Sequence, residues 1–283
     1  MKQFLIPTDF SESANNAIEF AIQSAKIFPV NISILHAFEM NTNMQMDNMG
    51  VLREYRQSLL DEAQHKLSEL KKRIEKNNGI TVEIIIAKQN FIAAIQQALK
   101  EMNFDLIIMG TLGASGLKEK LWGTNTATVI GESTIPVLAI PHDYTWKKPE
   151  KILLSTNHFE EEPSLLNFVF ELADLYTAQV HAIVFTDEDD DKPATFIAHS
   201  HQRSQYENVL KEYHKDDKVT VTQLYGSAFE ETIQHHILEN EIDLLVMITY
   251  QRDFFSRLFH PSMTNQMAYH TNIPLLAIPS KIV

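Results

Sequence analysis

The residues best suited to chemistry in this chain are three glycines followed by a threonine. Two residues separate Gly110 from Gly113, and nine more lead to Gly123-Thr124, between an apolar run and a helical pattern. Because glycine has no Cβ, backbone N–H groups there can approach an anion closely. The start of a helix adds unpaired N–H groups and the positive end of its dipole. The pattern suits phosphate binding, although glycines at such a place can also serve only the turn.

Two further residues, Asn125 and Thr126, follow the threonine closely enough to assist in holding an anion. The spacing is neither that of the P-loop, G-x-x-x-x-G-K-[ST], nor that of the dinucleotide fingerprint, G-x-G-x-x-G. Any phosphate site here would therefore be of another type.

The carboxylate of Asp9 is the second candidate group, and it follows the apolar run Phe4–Ile6 and Pro7-Thr8. In an open parallel sheet, ligands bind beyond the carboxyl ends of the strands, where the strand order reverses. If the first and fourth strands flank that reversal, Asp9 lies beside Gly110 and can accept hydrogen bonds from ribose hydroxyls. The alternative is that Asp9 caps the first helix, a task for which Ser11 competes.

The elements that must position these residues follow from hydrophobic periodicity. Short, wholly apolar strands alternate with helical patterns, which is typical of a parallel sheet covered on both faces. In the first half we predict strands at Phe4–Ile6, Ile32–Ala37, Thr81–Ala87, Leu106–Met109 and Val137–Ile140, and helices after Ser11 and at about Asp47–Asn77, Phe91–Met102 and Thr124–Glu132.

The second half repeats the first, since residues 105–141 and 243–279 are equal in length and both close on Ile-Pro-x-Leu-Ala-Ile-Pro. We therefore expect α/β domains at 1–141 and 151–283, joined by a polar linker at 142–150. Each should be a doubly wound, Rossmann-like domain with a five-stranded parallel sheet. The apolar edge strands Val137–Ile140 and Leu275–Ile278 are expected to pair into an internal pseudo-dimer, because such edges need cover. Whether two chains form a homodimer stays open.

The second copy has lost the residues that would hold a phosphate. A branched side chain at Ile248 and a proline without an N–H at Pro261 both disfavour close approach of an anion. The acidic residues 187–191 either repel phosphates or are a solvated loop. We expect no nucleotide in this half, where Asn157, Ile248, Gln251 and Pro261 replace Asp9, Gly110, Gly113 and Gly123, and where Phe254, Phe255 and Phe259 can fill the cleft.

Composition excludes several classes of function. A net charge of −13 argues against a nucleic-acid track, and the absence of cysteine excludes disulfides and thiolate metal sites. No run approaches the roughly 18 apolar residues of a membrane span, so we expect a cytoplasmic protein. The pairs His199-x-His201 and His235-His236 lack the spacing of a zinc helix. No nucleophile–base pair is evident, so any hydrolysis would depend on a bound metal and water and would be slow.

Several of these motifs resemble the universal stress protein family. They are the spacing G-x2-G-x9-G-[ST], the opening Ile-Pro-Thr-Asp-Phe-Ser at residues 6–11, the ending Leu-His-Ala at residues 35–37 and the strand Pro-Val-Leu-x-Ile at residues 136–140. The resemblance covers the chain as a tandem pair. One departure is Lys88-Gln89-Asn90, where the family usually has a glycine near the lysine.

The resemblance implies an adenine-nucleotide site in the first half, for ATP with or without Mg²⁺ or Mn²⁺. Asp9 would sit at the ribose, with Pro7 and Thr8 beside it, and Ala37 would offer main-chain hydrogen bonds to adenine. Met109 would lie beneath the phosphates, which would be held by Gly110, Gly113, Gly123, Thr124 and Asn125.

We interpret the chain as a nucleotide-gated module in which ATP orders residues 111–122 and an unknown protein partner reads that surface. Two alternatives remain: a slow metal-dependent ATPase, and an interaction scaffold whose nucleotide site is a relic.

Overall fold

A computed structural model describes residues 2–38, 49–111, 124–156, 159, 162–187, 203, 205–213, 218–227, 229–249 and 272–280. The first half alternates strands and helices in the predicted order. Its elements are β1 (Lys2–Pro7), α1 (Glu12–Ala25), β2 (Val30–Ala37), α2 (Met49–Asn78), β3 (Val82–Ala87), α3 (Phe91–Glu101), β4 (Leu106–Gly110), α4 (Thr124–Glu132) and β5 (Val137–Ile140).

The second half repeats this pattern from Lys151 onward. Its elements are β6 (Lys151–Thr156), α5 (Pro163–Tyr176), β7 (Gln179–Asp187), α6 with described residues 205–213, β8 (Val219–Gly226), α7 (Phe229–Asn240), β9 (Leu244–Thr249) and β10 (Leu275–Pro279). In the part of the chain that the structure describes, none of the helices combines the length and apolar character needed to cross a membrane.

Helix ends in the first half have local chemical causes. The Ser11 hydroxyl accepts a hydrogen bond from the Ala14 N–H, which confirms Ser11 as the N-cap of α1. Asn90 caps α3 in the same way through the Ala93 N–H. Gly79 follows α2 with φ of +69°, the left-handed conformation in which glycine commonly ends a helix.

The ten strands among the described residues form one sheet in the order β3-β2-β1-β4-β5-β10-β9-β6-β7-β8. Within each half the strands are parallel, and β5 pairs with β10 in antiparallel fashion. The predicted pairing of these two edge strands is therefore confirmed. In each half the order reverses beside the first strand, between β1 and β4 and between β6 and β9.

The helices cover both faces of the sheet. On one face, α1, α2 and α5 pack on a core that continues across the joint between the halves. On the other face, α3 and α4 cover one apolar cluster and α7 covers a separate one. The alternation of side chains along each strand divides the core into these two layers.

The two halves are also joined by side chains and by the linker. The Tyr176 hydroxyl lies 2.6 Å from that of Ser24, and burial raises the pKa of this tyrosine above its usual value. In the linker, Trp146 packs edge-on against Phe20, with ring centroids 4.8 Å apart. Lys147 forms a 2.6 Å ion pair with Asp243. The polar linker is thus packed against both halves.

Candidate functional site

The ends of β1 and β4 meet where the strand order reverses. Leu5 is in register with Ile107, and three more residues along both strands place Thr8 beside Gly110. The condition set from the sequence, that strands one and four be neighbours, is met. Asp9 is exposed at this edge, so its carboxylate lies where parallel sheets bind ligands.

Asp9 belongs to a turn that is closed by two side-chain oxygens. Thr8 Oγ1 accepts from the Phe10 N–H at 3.0 Å, and Asp9 Oδ1 accepts from the Ser11 N–H at 3.0 Å. Because Ser11 caps α1, the alternative that Asp9 caps this helix is wrong. The Asp9 bond instead fixes the direction of its carboxylate within the turn.

The residues around Asp9 differ in what they can offer a ligand. Pro7 is buried, and the Thr8 side chain is also buried, so neither side chain is open to a ligand. Met109 is buried in the core beneath α3 and α4. Its side chain is therefore closed to solvent, and its place beneath the phosphates stays a prediction.

The backbone of Ala37 points toward the open side of β1. The Leu35 carbonyl bonds to the Thr8 N–H on this side, and the Phe38 N–H bonds to Ala87 on the other. Since alternate residues of a strand point their N–H and C=O groups to the same side, those of Ala37 face the region beyond the end of β1. A planar ring with hydrogen-bonding edges would meet them there.

Packing requires a glycine at residue 110, independently of any ligand. A Cβ built at this residue would lie 2.3 Å from the Ser13 hydroxyl and 2.5 Å from the Ser13 carbonyl oxygen. The start of α1 therefore touches the end of β4 directly. The Thr126 hydroxyl donates to the Gly110 carbonyl at 2.9 Å and holds the first turn of α4 at the same strand end.

Two helices thus begin at the edge that carries Asp9. Their N-termini bring the positive ends of two helix dipoles to this edge, although Ser11 already caps α1. Asn125 is exposed in the first turn of α4. The positions of Gly113 and Gly123 and the side chain of Thr124 lie outside the described residues.

The equivalent edge of the second half is built differently. Ile248 occupies the position of Gly110 and is buried in the core cluster that contains Leu165. The connection from β6 to α5 covers residues 157–162, whereas residues 8–11 connect β1 to α1. Accordingly α1 packs closely on β4, while α5 packs mainly on β7. This leaves room for an isoleucine where the first half needs a glycine.

The second half also contains histidines that could be considered as metal ligands. Among the described residues, no group of three or more histidines and carboxylates could hold a metal ion. His235 is exposed and lies 3.1 Å from Glu239, as expected of a solvent-facing histidine. Residues outside the described ranges include Asn157, Gln251, Phe254, Phe255, Phe259 and Pro261.

Sequence reasoning missed two residues that shape the site. Ser13 touches Gly110, and the Nδ1 atom of His36 lies 2.8 Å from the Thr8 carbonyl oxygen. The Leu-His-Ala ending of β2 was a signal for His36. The sequence does not indicate which atom a Cβ at residue 110 would contact.

Taken together, the chain is a tandem, doubly wound α/β protein in which the exposed Asp9 lies at the strand reversal of the first half. A universal stress protein family model matches residues 1–141 and 149–279. The chain therefore belongs to the universal stress protein family.

Individual universal stress proteins match this chain over one half or over nearly its whole length. A universal stress protein of Synechocystis sp. is 25% identical over 98% of this chain and 99% of its own length. One from Methanocaldococcus jannaschii is 29% identical and matches 49% of this chain and 94% of itself. The crystal structure of a universal stress protein from Archaeoglobus fulgidus superposes with a TM-score of 0.72 at 21% identity, covering 98% of this chain and 96% of its own.

Proposed function

We propose that the first half binds an adenine nucleotide, ATP, and that this chain acts as a nucleotide-gated regulatory or interaction module. The observation that carries the proposal is the strand reversal, where the exposed Asp9 carboxylate, Gly110 and the beginning of α4 meet. A carboxylate suits ribose hydroxyls, and the N-terminus of α4 suits phosphates.

The ligand would lie across the ends of the three strands β2, β1 and β4. Adenine would pair with the main chain of Ala37, and the ribose would bond to Asp9 near Pro7 and Thr8. The phosphates would reach the helix start above Met109, at Gly110, Gly113, Gly123, Thr124 and Asn125. Mg²⁺ or Mn²⁺, if bound, would be held chiefly by the phosphates themselves, which are preferred ligands of such ions.

The same reasoning leaves the second half without a nucleotide. Its strand end carries the buried Ile248 and a longer connection before α5. We propose that this half instead supports the first through the continuous sheet and shared core. A nucleotide-dependent surface on the first half would then be what an unknown protein partner recognises.

Equilibrium dialysis with ATP tests this proposal. We expect one nucleotide per chain, and Asp9→Ala should weaken binding by roughly 1.5–3 kcal/mol, the usual contribution of a hydrogen bond to a charged group. Asp61→Ala, which removes an exposed carboxylate of α2, is the matched control and should bind as the wild type does.

Three outcomes would change the assignment. No retention of ATP at millimolar concentration would leave the interaction scaffold with a relic site. Metal-dependent turnover abolished by Gly123→Pro would favour the slow ATPase. An unchanged Kd in Asp9→Ala would remove Asp9 from the site.

A further inference from the structure

The turn that presents Asp9 contains a strained residue. Phe10 has φ of 63°, in the left-handed region that bulky side chains rarely adopt. A backbone in this conformation persists only where its surroundings hold it there. The contacts of Phe10 and of its neighbours therefore determine where the Asp9 carboxylate points.

His36, at the end of β2, contacts this turn on both sides of Asp9. Its Nδ1 atom lies 2.8 Å from the Thr8 carbonyl oxygen, and its ring centroid lies 4.7 Å from that of Phe10. A carbonyl oxygen only accepts hydrogen bonds, so Nδ1 must carry the hydrogen. One imidazole thus binds the residue before Asp9 and packs on the residue after it.

Two other side chains extend this arrangement. The Phe38 ring stacks on His36, with centroids 6.2 Å apart. The Lys66 Nζ atom of α2 lies 5.6 Å from the centre of the Phe10 ring, within reach of a cation–π contact. The turn is therefore tied both to the end of β2 and to α2.

We propose that His36 is a positioning residue for the nucleotide site, acting through the Thr8–Ser11 turn on Asp9. The inference rests on the proposed function, because it concerns the site that would bind the ribose. His36 itself need not touch the ligand. It holds the strained turn in the one conformation that aims the carboxylate over the strand ends.

The second half supports this inference. Thr156 and Val184 are paired there, at the positions that Thr8 and His36 hold in the first half. Val184 is buried and cannot donate a hydrogen bond. The half that we propose to be empty thus lacks the imidazole as well as the short turn.

The test compares His36→Val with His36→Asn. Valine occurs at the same strand position in the second half, so the fold accommodates it, and asparagine retains an N–H donor bonded to Cγ. We expect His36→Val to weaken ATP binding roughly 3–10-fold, as for one lost neutral hydrogen bond, and His36→Asn to restore most of it. In an Asp9→Ala background, His36→Val should add less than about a twofold loss, because both act through one group.

A purely structural role would give a different result. If His36→Val binds ATP as the wild type does, or loses as much affinity with Asp9→Ala as without it, the inference is overturned. Hydrogen exchange of the Phe10 and Ser11 amides gives a readout without nucleotide, and it should be faster in His36→Val than in His36→Asn. If the wild type binds no ATP, the proposed function fails, and unchanged exchange would then overturn the positioning role separately.

Discussion

The two halves share one topology but differ at the same strand end. In the first half, a four-residue connection brings α1 onto β4, and the contact leaves no space for a Cβ at Gly110. In the second half, residues 157–162 make a longer connection, and the space is filled by Ile248. A duplicated fold has therefore kept its sheet and core while the edge that can bind a ligand has changed in one copy.

This comparison changes how the replacement of Gly110 by Ile248 is interpreted. The sequence suggested that Ile248 blocks the approach of a phosphate. The structure shows that its side chain lies in the core, on the same face as α5. Loss of the glycine accompanies a displaced helix, so the second site differs in the position of a whole helix N-terminus as well as in one side chain.

We expect the largest loss of stability from adding a Cβ at Gly110, where α1 contacts β4. Gly110→Ala should destabilise the protein by roughly 3 kcal/mol, because the added carbon meets the Ser13 backbone and α1 must shift. Gly131→Ala is the control, since its Cβ would enter open space within α4, and it should be neutral or stabilising by about 0.5–1 kcal/mol. Chemical denaturation measures both. Equal effects would show that the α1–β4 contact is not tight.

The two aspartates that open the repeated segment sharpen the comparison. Asp243 is buried and accepts hydrogen bonds from the Glu150 and Lys151 N–H groups and from Lys147. Asp105, its counterpart, is 38% exposed and accepts from the Gln3 N–H.

We expect Asp243→Ala to cost about 1.5–3 kcal/mol of unfolding free energy and Asp105→Ala less, about 1 kcal/mol. The reason is that Asp243 holds the linker to the second half while Asp105 lies near the surface. The same denaturation measurements decide the order, and a larger loss in Asp105→Ala would contradict it.

The smallest effect concerns a pair of histidines found in the second half. Burial lowers the pKa of His181 and of His236 below the ordinary 6.5. The charge of His236 lowers the pKa of His181 further, while Glu239 partly offsets the effect of burial on the pKa of His236. The folded state therefore favours neutral rings, and the unfolded chain takes up protons first as the pH falls. Their contribution to stability is present above about pH 6.5 and is lost below it.

Thermal unfolding at about pH 7.5 and about pH 5.5 checks this expectation. Wild-type protein should lose somewhat more stability on acidification than the variant combining His181→Ser with His236→Ala. Serine and alanine are chosen because Ser33 and Ala98 occupy the equivalent positions of the first half. An equal loss in both proteins would assign the pH dependence to other groups.

Much of the fold could be predicted because its signals are local or repeated. Periodicity gave the order of the elements, and the repeated apolar closing strands indicated the β5–β10 joint. The close contact of Gly110 with Ser13 could not be predicted, since it depends on how near α1 lies to β4. The choice between Ser11 and Asp9 as the cap likewise required coordinates, because both side chains can accept the same kind of hydrogen bond.

The central claim is that one half binds an adenine nucleotide and its copy does not. A crystal of the full chain soaked with ATP tests this most directly, because difference density locates the ligand without prior assignment of residues. We predict density at the ends of β1 and β4, with the ribose beside Asp9, and none at the ends of β6 and β9. Nucleotide density in the second cleft, or in neither, would contradict the account.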